Sequence, residues 1–161
     1  MKIHTFTASL TLPLAIERVF DFFADAQNLE RLTPPFLKFH IVSPLPIEMR
    51  RGARIRYRLR PHGIPIGWES EITAWEPPRR FVDKQLSGPY RFWHHEHRFA
   101  QNTNGTEISD RVDYAVFGGS IINSLFVEPD MRKIFAYRTK RLNELFAGDV
   151  GKVETAANDS R

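Results

Sequence analysis

Cysteine is missing altogether from the 161 residues. That excludes disulfides, thiolate metal sites and a cysteine nucleophile, and nothing argues for an oxidising compartment, so the cytoplasm is the expected location. No apolar run is long enough to span a bilayer. Ile3 to Leu12 alternates apolar with polar residues and lacks the unbroken apolar stretch of a secretory signal. Concentrated charge is also lacking: 23 Lys and Arg against 19 Asp and Glu leave a net charge of +4. This excess is too small and too dispersed for the basic stripe that a phosphate backbone requires, so nucleic acid is not an expected partner. Phosphate loops, dinucleotide fingerprints and nucleophile elbows are absent, and no cofactor is expected.

What is present suffices for one core, with 42% hydrophobic residues and 26% charged. Residues 3–12 read as a half-buried strand that Pro13 ends. Ile16, Val19, Phe20 and Phe23 fall at helical spacing within 14–26, and 28–32 forms a second short helix before Pro34-Pro35. Period-two segments then recur at about 39–46, 53–61, 65–76, 81–87, 91–101 and 106–117, with turn residues such as His62-Gly63 and Gly88-Pro89 between them. After Gly118-Gly119 the period becomes helical and stays so to Phe146, with Pro129 predicting a kink or a restart. The expected organisation is one α+β domain over 1–147 and a flexible tail over 148–161.

That order of elements resembles the START-like, or Bet v 1-like, superfamily over residues 2 to about 147. Leu29-Glu30-Arg31-Leu32-Thr33-Pro34-Pro35, His62-Gly63-Ile64-Pro65, Gly88-Pro89-Tyr90-Arg91-Phe92-Trp93-His94-His95 and Asp110-Arg111-Val112-Asp113-Tyr114 resemble a bacterial group of ligand-binding SRPBCC proteins. The resemblance implies a helix-grip fold: a seven-stranded, curved antiparallel sheet around a long C-terminal helix, with two short helices after the first strand and a cavity inside. Relatives of this group also occur fused to nucleotide-sugar epimerase-like domains.

Alternation predicts which side chains face that cavity. Ile55, Tyr57 and Leu59 share one face of their strand, and Arg54, Arg56, Arg58 and Arg60 share the other, which is expected to be solvated. The inward set continues with Trp68, Ser70, Ile72 and Ala74, then Phe81, Asp83 and Gln85, then Trp93, His95, His97 and Phe99, then Ile108, Asp110, Val112 and Tyr114. A turn joining Gln101 to Thr106 sets His97 opposite Asp110, and an odd-length loop at Gly88 to Tyr90 sets Asp83 opposite His95 and Gln85 opposite Trp93. Two carboxylate–imidazole pairs on one concave face can serve as a structural network, as ligand-orienting groups, or as catalytic or metal-binding groups. A carboxylate on each histidine explains these residues without an ion, so no metal is expected. His94 and Glu96 have outward parity, so the His94-His95-Glu96-His97 run is not a zinc-protease motif, which needs helical spacing.

The expected ligand-binding residues are Tyr57, Trp68, Asp83, Gln85, Trp93, His95, His97, Asp110, Tyr114 and Arg138; the last faces either the solvent or the cavity, and if inward it would pair with Asp110 or an acidic ligand group. The leading reading is a binding protein for a small, largely apolar molecule with polar groups. One alternative is an enzyme of the polyketide cyclase or aromatase type, which START-like folds can host, with His97 and Asp110 as the candidate catalytic groups. Another is a protein-interaction module that uses the loops at Pro34 to Leu37 and Pro61 to Ile66 as an apolar rim.

Overall fold

The computed structural model describes residues 1–158, with side chains through residue 147. Strand β1 (His4–Leu12) leads into helices α1 (Ile16–Ala24) and α2 (Asn28–Leu32). Strands β2 (His40–Ile41), β3 (Arg54–Leu59), β4 (Ile66–Glu76), β5 (Arg80–Ser87), β6 (Phe92–Asn102) and β7 (Gly105–Ala115) follow. A short helix α3 (Gly119–Ile122) runs through a π-helical turn (Asn123–Val127) into the long helix α4 (Glu128–Asn158). The tail expected over 148–161 falls outside the residues whose side chains are described. Among the described residues no helix is long and apolar enough to cross a membrane.

The seven strands form one antiparallel sheet in the order β1-β7-β6-β5-β4-β3-β2. β7 pairs back onto β1, so the chain's first strand lies beside its last. One face packs on α1 and the C-terminal half of α4, where Val19, Phe20, Leu142 and Phe146 join Leu12, Phe81, Phe99 and Ile108. Nearer the start of α4, Met131 and Phe135 meet Val112 and Tyr114. The arginine row Arg54, Arg56, Arg58 and Arg60 is solvent-exposed, as its parity requires. This is the helix-grip arrangement.

Three expected features differ. The strand over 39–46 shrinks to His40–Ile41, because Pro44 and Pro46 have no N–H to give a ladder. A bulge pairs Ile72 with Asp83 but Ala74 with Val82, so alternation resets; Ala74 lies across from an outward residue, and Trp75 turns in to pack against Phe20 and Phe81. The irregularity expected at Pro129 is taken up by the π-helical turn just before it, with helical backbone on both sides. A proline that cannot donate, and whose ring crowds the preceding turn, favours such loosening.

Candidate functional site

Two hairpins build the site. The two-residue turn Thr103-Asn104 closes β6 onto β7 in the expected register, with Phe99 opposite Ile108 and His97 opposite Asp110. Between β5 and β6, Asp83 lies opposite His95, and the ladder ends at Lys84 and His94. Asp83, His95, His97 and Asp110 therefore share the concave face. Glu96 sits on the other side, where it takes hydrogen bonds from Arg80 and Arg98; these, against its partial burial, hold its pKa down at about 2.

The shortest bonds run diagonally to the strand pairing. His95 Nε2 donates to Asp110 Oδ1 at 2.8 Å and His97 Nε2 donates to Asp83 Oδ2 at 2.9 Å. The other nitrogens close a ring of contacts: His97 Nδ1 lies 3.0 Å from Asp110 Oδ1, and His95 Nδ1 lies 3.6 Å from Asp83 Oδ2. The His97 Nδ1 contact is close in distance but misdirected, so that nitrogen is buried without a hydrogen-bond partner. The two imidazoles are 3.7 Å apart between centroids, and His97 stacks on Phe81 at 4.1 Å. From the helix side Arg138 points inward, 9% exposed, with Nη1 3.7 Å from Asp110 Oδ1 and its guanidinium 4.9 Å over the Phe135 ring.

These contacts divide the histidines. Burial opposes charge on His97, but the nearby negative charges of Asp110 and Asp83, with the hydrogen bond to Asp83, outweigh it and raise its pKa. Burial, reinforced by the positive charge of His97, lowers the pKa of His95 against the pull of Asp110. Asp83 and Asp110 resist burial and are held below the usual carboxylate range, through His97 and His95 respectively in the first place. The resulting set is two carboxylates, one imidazolium, one guanidinium and one neutral imidazole. Burial, with help from the Asp83 charge, also keeps the Tyr57 phenol protonated.

Beside this set lies a cavity in two chambers. The inner one, about 190 Å³, sits under α1, α2 and the 34–39 segment. The outer one, about 420 Å³, lies beneath the 61–66 loop, the turn at Pro89-Tyr90 and the stretch from Val116 to Val127. Trp68, Trp93, His95, Ile134 and Arg138 border both, so His95 and Arg138 stand at the waist between them, with Asp83 and His97 on its inner side.

Seven of the ten expected site residues line this space: Tyr57, Trp68, Asp83, Trp93, His95, His97 and Arg138. Three are on neither chamber's wall. Asp110 lies behind the histidines it binds, Gln85 spends its amide on both backbone groups of Tyr90, and Tyr114 donates to Asn123 Oδ1 at 2.8 Å. Ser70 was on the inward list but not among the expected ligand-binding residues; it accepts from Trp68 Nε1 and bonds the Tyr57 hydroxyl. Its parity with Trp68 was the available signal. Sequence reasoning named the 61–66 side of the outer mouth but missed the side opposite, where Phe117 and Phe126 are exposed; the signal was an uncharged stretch from Ala115 to Val127.

Ligand atoms of Asp83, His95 and His97 lie within 4.8 Å of one another, close enough to consider an ion. The residues fit one poorly: a divalent cation would displace the proton by which His97 Nε2 binds Asp83 and would stand close to the Arg138 guanidinium.

The profile of the family described as polyketide cyclase / dehydrase and lipid transport matches residues 4–147. No curated protein matches the sequence. Among solved structures, a START superfamily protein from Mycobacterium smegmatis superposes with a TM-score of 0.66 at 11% identity, over 88% of this chain and 99% of that one. Major latex-like protein 151 from Panax ginseng gives 0.65 at 10% identity, over 88% and 96%. At these identities the likeness concerns the fold. A nucleoside-diphosphate sugar epimerase from Corynebacterium glutamicum is 26% identical, with a TM-score of 0.63 over 86% of this chain and 28% of that one, in line with the expected occurrence of such domains beside epimerases.

Proposed function

The chain belongs to the polyketide cyclase / dehydrase and lipid-transport family, and from that premise we propose that it binds a small, largely apolar molecule between the sheet and α4, with a polar group of that molecule at the Asp83, His95, His97 and Arg138 waist. One observation carries the reading: an apolar-walled cavity whose two chambers meet at a charge-balanced polar set. Its overall size lies within the roughly 300 to 1,000 Å³ usual for small-molecule sites, and a few convergent polar groups on apolar walls are what such sites use for orientation. Removing about 150 Å² of ligand apolar surface from water contributes about 4 kcal/mol, so the polar set tunes binding that the walls supply.

The alternative of proton transfer to a bound substrate rests on a different residue from the one sequence reasoning favoured. Both nitrogens of His97 face carboxylates, which makes it a poor base. His95 is neutral and borders both chambers, so acid–base work in a cyclase-type reaction falls to His95. The test of the binding reading is to unfold the purified protein in organic solvent and analyse the extract by mass spectrometry, beside a His97→Ala variant. A stoichiometric small molecule from the wild type, depleted in the variant, is the expected result; extracts empty in both would count against a stably held ligand.

A further inference from the structure

The polar set has donors to spare and no charge to spare. Among the described residues, the two buried side-chain polar atoms without a hydrogen-bond partner are His97 Nδ1 and Arg138 Nε. Both belong to residues that border the inner chamber. Arg138 Nε always carries hydrogen. His97 carries hydrogen on both nitrogens, because each faces a carboxylate oxygen, at 2.9 and 3.0 Å, and a lone pair on either would repel it. Several nearby acceptors already take other donors: Asp83 takes Trp93 Nε1 on Oδ1 and His97 on Oδ2, Asp110 Oδ1 takes His95, and Ser70 takes Trp68.

Charge is closed at the same place. Asp83 from β5 and Asp110 from β7 are balanced by His97 from β6 and Arg138 from α4, while His95 and Tyr57 are neutral and His62 is bonded to Asp130 at 2.7 Å in the outer chamber. An anionic ligand would leave a net negative charge in a water-poor interior, or would require protonating His95 with its ring 3.7 Å from that of His97.

On the binding reading above, we infer that the ligand's polar end is an uncharged hydrogen-bond acceptor, a ketone- or aldehyde-type carbonyl oxygen received by Arg138 Nε–H and His97 Nδ1–H, and that the site selects against carboxylates. The carbonyl offers two lone pairs to two unpartnered donors and brings no charge.

The test is calorimetric titration of the full chain at pH 6.5, where His97 is held charged and His95 neutral, with naphthalene, indane and octane skeletons, each as the plain hydrocarbon, the methyl ketone and the carboxylate. The methyl ketone of at least one skeleton binds about tenfold more tightly than its hydrocarbon, and its carboxylate about tenfold more weakly than the ketone. Carboxylates that bind as well as ketones, or ketones no better than hydrocarbons, would overturn the inference and leave the apolar cavity reading standing. Failure of every compound to bind would remove that reading and this inference with it. In an Arg138→Met variant the advantage of ketone over hydrocarbon disappears while the hydrocarbon still binds; a retained advantage would overturn the assignment to Arg138. Should that variant fail to fold, the wild-type series decides alone.

Discussion

A protonated imidazole held between a buried carboxylate, Asp110, and a half-buried one, Asp83, ties the stability of this site to pH. The pKa of His97 is raised above its ordinary 6.5, so its stabilisation is fully present below about 6.5 and is lost as pH rises through the higher folded value. The carboxyls of Asp83 and Asp110 are lowered from 3.8, so their contribution is present above that value and is lost as pH falls through the folded values. His95, lowered from 6.5, takes up a proton more readily when unfolded and subtracts stability on the acid side of 6.5. Urea unfolding between pH 6 and 9 therefore shows a decline in stability on the alkaline side that His97→Gln removes; the same slope in both proteins would contradict the protonated His97. Asp110→Asn leaves His97 and Arg138 as buried cations with one carboxylate between them, and costs about 3 to 5 kcal/mol in the same measurement. A loss below 1 kcal/mol would show that Asp110 is not their counter-charge.

Strands and turns account for how much of this was legible in the sequence. Parity placed Asp83, His95, His97 and Asp110 on one face, and short hairpin connections fixed their register, because a slip of one residue would turn every apolar side chain outward. Parity could not show that the bonds would form diagonally, since twist and side-chain rotamer decide between a facing and a diagonal neighbour. Gln85 was correctly turned inward, but its amide was claimed by the backbone of its own turn; Ala74 was displaced by a bulge that no composition announces. Two element-scale predictions follow from contacts of this kind. Tyr114→Phe strands Asn123 Oδ1 in the π-helical turn and costs about 1 to 2 kcal/mol in thermal unfolding, with faster amide exchange confined to 119–131; exchange unchanged there would contradict the tie. Gly105→Ala, at φ +125°, drives a methyl into the backbone carbonyl of Leu12 and destabilises the β1–β7 pairing by more than 1 kcal/mol; a neutral change in melting temperature would show that the hairpin relaxes freely.

At the scale of the molecule, the sheet and α4 enclose a space that neither fills, and the polar set bridges from the sheet to the helix through Asp110 and Arg138. The outer chamber opens beside exposed Ile64, Phe117 and Phe126, while the 61–63 turn is fastened to α4 by the bond from His62 Nε2 to Asp130 Oδ2. A ligand reaching the waist by this route would pass the His62–Asp130 pair and otherwise meet largely apolar surface before the charged groups. The central claim is that this interior receives a small molecule, and the most direct test is titration with a neutral naphthyl ketone fluorophore whose emission reports its surroundings, against wild type and an Ile134→Trp variant that fills the wall shared by the chambers. An internal site gives blue-shifted emission that saturates at one dye per wild-type chain and is abolished in a variant that still unfolds cooperatively; equal, saturable binding by both proteins would place the dye on the surface and contradict an internal site.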